Sequence, residues 1–133
     1  MITNYEQYLE KPKSLTFEQM NALHKEILAE IADDLEAVEI YDELIETATK
    51  YNEFRANWLV WDRETRISKD SSRTSCHNSL IVKFNMLARY LKMQGKKAAW
   101  RDELGYEEDD RYYRKAIGDF GCYLVFINAI NAR

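Results

Sequence analysis

The chain has a single proline, Pro12, and only four glycines, Gly95, Gly105, Gly118 and Gly121. From Lys13 to Gln94 it runs 82 residues with neither. A β-protein needs turn residues at short intervals, so this scarcity excludes an all-β fold and predicts long helices. Ala, Glu, Leu, Lys, Arg, Met and Gln, all good helix formers, fill the stretch. Cysteine is nearly as scarce. Cys76 and Cys122 lie 46 positions apart and form no CxxC, which excludes a disulfide scaffold and a zinc-finger array and fits a reducing compartment. No basic-then-apolar leader opens the sequence. The most apolar window, Ile117 to Ile130, contains Asp119 and Asn128 and is too short to span a bilayer. A cytoplasmic protein without a membrane segment is expected.

What is present suits a folded domain. Of 133 residues, 46% are hydrophobic and 32% charged, which argues against disorder. The expected organisation is a short N-terminal segment, 1–13, and a single helical domain, 14–133. There is no internal repeat.

The first helix should begin near Ser14 or Thr16, and Thr16-Phe17-Glu18-Gln19 resembles a capping box. Phe17, Met20, Leu23, Ile27, Leu28 and Ile31 then follow the helical period. Asp33-Asp34 could lie inside one very long helix or, as ordinary helix lengths favour, mark a kink or short break and cap a second helix reaching Asp62. On it Val38, Tyr41, Ile45, Ala48, Asn52 and Leu59 share one face, with Ile40, Tyr51, Phe54 and Trp58 as a more aromatic stripe beside it. Two apolar stripes predict two neighbours, or one neighbour and a partner chain. Ile67 to Ser75 is rich in small polar side chains and reads as a loop feeding an N-cap. A third helix is then expected from Thr74 to Gln94, with Leu80, Phe84, Leu87 and Leu91 as its main stripe and Val82, Met86, Tyr90 and Met93 as a second. Trp100 to Leu104 should form a short turn closed by Gly105, and Asp109 to Asn131 the last helix. That helix is apolar on most sides from Ala116 onward, so Phe120, Leu124 and Ile127 should be buried. The fold class is therefore all-α, a compact bundle of four to five helices with the C-terminal helix central.

Charge is unevenly spread. Residues 1–62 carry 5 Lys+Arg and 14 Asp+Glu, a net of −9, whereas residues 63–133 carry 14 and 9, a net of +5. The basic segment 63–101 could bind nucleic acid, or it could balance the acidic helix within the fold. The acidic pI of 5.3 and the absence of a base-reading motif weaken the first reading.

The chemistry-bearing patterns are sparse. His24 and His77 have no acid three residues before them, which rejects a di-iron bundle. Glu36, Glu39, Glu43 and Glu46 resemble the acidic row of magnesium-dependent all-helical nucleotide pyrophosphatases. They lie opposite the main apolar stripe, where solvent is expected, so no metal site is assigned. Cys76 and His77 point about 100° apart on a helix and cannot pair. The remaining candidate is a polar network or pocket of Thr74, His77, Asn78, Asn85, Arg89 and Asp119. A carboxylate in an apolar helix needs a cation, and Arg89 is the expected partner of Asp119.

Arg73-Thr74-Ser75-Cys76-His77-Asn78, Asn85 to Leu91, Trp100 to Gly105 and Ile117 to Tyr123 together resemble a group of small uncharacterised all-helical proteins of Gram-positive bacteria. The likeness covers about Arg73 to Arg133. It implies a bacterial cytosolic helical protein and transfers no functional residue. The functional expectation is a non-enzymatic protein acting through protein–protein contacts, with a second copy as one candidate partner and no cofactor. The rivals are a nucleic-acid-binding module on 63–101 and a magnesium-dependent nucleotide hydrolase on the glutamate row.

Overall fold

The computed structural model describes residues 15–104 and 111–131. The expected N-terminal segment 1–13 and the closing Gly105 lie outside them. The described residues form five helices and no strand: α1 (Phe17–Ile31), α2 (Leu35–Trp58), α3 (Arg63–Met93), α4 (Trp100–Glu103) and α5 (Arg111–Asn131). The fold is an all-α bundle. No helix among the described residues is long and apolar enough to cross a membrane.

The first two helices start where the capping residues place them. The Thr16 hydroxyl accepts from the Gln19 amide at 3.1 Å, and the Gln19 side chain accepts from the Thr16 amide at 2.8 Å. Two N-terminal donors are thereby satisfied reciprocally. Met20, Leu23, Ile27 and Ile31 are buried. Phe17 and Leu28, on the same period, stay exposed. The chain does break after Ile31. Asp34 caps α2 by accepting from the Ala37 amide at 3.2 Å, and its two carboxylate oxygens also accept from the Tyr90 hydroxyl at 2.9 and 2.8 Å.

The buried face of α2 is Ala37, Tyr41, Leu44, Ala48 and Tyr51, not the expected Val38–Ile45–Asn52 line. Only Tyr41 and Ala48 are common to both. The true face is rotated by about 60° around the helix. Val38 and Ile45 are half-buried against the core's edge.

The loop expected at Ile67 to Ser75 does not exist. α3 is continuous from Arg63, begun by Asp62, whose side chain accepts from the Thr65 amide at 2.8 Å. The small polar residues compete for backbone bonds only weakly here. Ser68 bonds back to the Thr65 carbonyl at 2.9 Å without leaving the helix, and no glycine or proline interrupts it. Its C-terminus closes on Gly95 at φ +83°, with the Lys96 amide bonded to the Leu91 carbonyl at 2.9 Å and the Gly95 amide to the Lys92 carbonyl at 3.0 Å. This is the Schellman arrangement, which favours glycine at the left-handed position.

Glu30 then pins the following loop. Its carboxylate accepts from the Ala98 amide at 3.1 Å and the Trp100 indole at 2.8 Å, while Lys96 reaches the Glu30 carbonyl and Asp33. These bonds hold Ala98 at φ +48°, a conformation an alanine seldom adopts, and seat the Trp100 ring in the core.

α5 is central, packing against α1, α2 and α3. Residues Ala116 to Phe120 and Cys122 to Leu124 are buried, whereas Ile127 is only half-buried. Gly121 permits the approach: a Cβ there would lie 2.7 Å from Leu80 Cδ2 and 3.6 Å from Ala48. At the other side Tyr123 donates to Asn21 Oδ1 at 2.7 Å, and His24 Nδ1 lies 2.7 Å from the Tyr41 hydroxyl, so α1 is tied to α2 and α5. Burial lowers the His24 pKa below the usual imidazole value.

Candidate functional site

Asp119 faces the interior of the bundle, and its side chain is fully buried. Its observed cation is Arg55, whose Nη2 donates to Asp119 Oδ1 at 2.7 Å. The sequence expectation assigned this role to Arg89. Arg89 is exposed and sits twelve residues beyond His77, about 18 Å further along α3. His77, by contrast, is level with the pair, its ring 5.1 Å from that of Tyr51. The Arg55 guanidinium lies 5.6 Å from the centroid of the same Tyr51 ring. Gly118 makes room for this arrangement, because a Cβ there would fall 2.7 Å from Arg55 Nη1 and 3.2 Å from the tyrosine ring. Burial pushes the Tyr51 hydroxyl above its ordinary pKa, partly opposed by the nearby Arg55 charge. The result is a polar seam between α2 and α5. It fixes the register of two helices.

The expected polar line does not converge. Thr74, Asn78 and Arg89 face solvent, while Asn85 is half-buried and accepts from the buried Arg101 Nε at 2.7 Å. Of the expected group, Thr74 and Asn78 line one shallow open hollow on α3, while His77 and Asp119 both lie near Tyr51. Arg55 was missed, although a signal existed. Positions 37, 41, 44, 48 and 51 step at the helical period, and 55 is the next step on the same face.

Beyond the seam, where α2 turns into α3, lies a second cluster. Phe54 and Trp61 meet edge to face at 6.2 Å, and Trp58 and Trp61 at 6.1 Å. Each ring is half-exposed, and none belongs to the core or packs on it. The Arg73 guanidinium covers the Trp58 ring at 4.6 Å and bonds Asp70 at 3.0 Å. Arg66 caps the end of α2, with Nε donating to the Trp58 carbonyl at 2.7 Å and Nη2 to the Leu59 carbonyl at 3.3 Å. Val60, next to Trp61 in sequence, and Ile67 are exposed.

The two charged features resolve differently from a ligand site. Glu36, Glu39, Glu43 and Glu46 are all exposed, and no group of His, Cys, Asp or Glu among the described residues could hold a metal ion. Several of the ten cations in 63–101 are engaged within the fold. Lys83 pairs with Glu43 at 3.1 Å and Lys96 with Asp33 at 2.5 Å, while Arg66, Arg73 and Arg101 make the contacts described above. Around the aromatic cluster, Arg63, Arg66, Lys69 and Arg73 are nearly offset by Asp62, Glu64 and Asp70. No family model, curated protein or solved structure matches the chain.

Proposed function

We propose that this chain is a non-enzymatic cytoplasmic protein that acts through protein–protein contacts, with the Phe54–Trp58–Trp61 cluster as its binding surface. The carrying observation is that three large aromatic rings pack on one another outside the core and remain half-exposed. The few residues that carry most of the binding energy at protein interfaces are enriched in tryptophan, tyrosine and arginine. The near balance of charge around the rings supports a protein partner over a polyphosphate one. A second copy of the chain is among the partners this reading allows.

The test is a photo-reactive benzoylphenylalanine placed at Val60 in cells. The expected result is a discrete protein adduct that disappears when Trp58 and Trp61 are both changed to Ser, with the melting temperature of that variant as a folding control. The same probe at Glu39 should give no adduct. No adduct at Val60, combined with heparin retention that falls linearly with the logarithm of salt, would transfer the assignment to nucleic acid. Magnesium-dependent phosphate release from nucleotides would transfer it to the hydrolase.

A further inference from the structure

We draw no further inference here: the strongest candidate, the exposed apolar face of α3 from Ile67 to Met93 with the shallow hollow beside Val82 and Met86, carries nothing, because nothing in the structure shows what covers it.

Discussion

The two halves of α3 share one uninterrupted helix but different physics. From Leu80 to Leu91 the helix buries Leu80, Phe84, Leu87, Ala88 and Leu91. From Arg63 to Ser79 it buries none. The second half is helical because a core stripe demands it. The first is held by its Asp62 cap, by Arg66 and Arg73 folded back over the end of α2, and by continuity with the half that follows. A helix segment that the core does not require is available for contacts; this one carries the exposed Ile67, and its Arg73 covers the half-exposed Trp58 ring.

The largest expected effect breaks this comparison directly. Phe84→Ala should cost about 3–5 kcal/mol in denaturant unfolding, whereas Ile67→Ala should stay within about 0.5 kcal/mol of wild type. Comparable losses at both positions would mean the first half is part of the core.

Next is the polar seam between α2 and α5, which His77 of α3 flanks through Tyr51. Asp119→Asn should cost about 3 kcal/mol, since it strands a largely buried guanidinium. A double-mutant cycle with Arg55→Met should show strong coupling, and one with Arg89→Met should be additive. Coupling to Arg89 instead would contradict the observed pair.

Gly121→Ala tests how closely α5 approaches the second half, and should cost about 1–3 kcal/mol because the methyl meets Leu80. An unchanged midpoint would show that Leu80 yields freely.

The smallest effect lies away from α3, at His24. Its pKa is lowered by burial, so the unfolded chain binds the proton first. The stability this contributes is complete above the ordinary imidazole value and is lost as pH falls from there through the lowered one. The melting temperature should therefore decline slightly on acidification from neutral pH, and His24→Gln should remove the His24 share of that decline.

Much of the bundle was legible in the sequence. The Thr16 capping box and the central last helix each follow from a local pattern whose physics is strong, whereas Asp33-Asp34 fits a cap or the interior of one long helix and only helix length favours the break. The first half of α3 was not legible, because its Ser and Thr residues favour a loop when weighed one by one. What overrides them is contact with Trp58 and the Asp62 cap, and the contact is tertiary. Likewise, the need of Asp119 for a cation could be read, but its identity could not. Phasing the α2 face on Val38 and Ile45 moved its centre by about 60° and left Arg55 off it. The second apolar stripe of α3 was read correctly as a stripe. Val82, Met86 and Met93 nonetheless face solvent, because period alone does not say whether a neighbour is present.

Amide hydrogen exchange across α3 tests the division of this helix most directly. The account predicts that amides from Leu80 to Leu91 are the slowest, since they sit on the buried stripe. Those from Ile67 to Ser79 should exchange faster, yet well below coil rates. Coil-like exchange from Ile67 to Ser75, or protection there equal to that of Leu80 to Leu91, would contradict it.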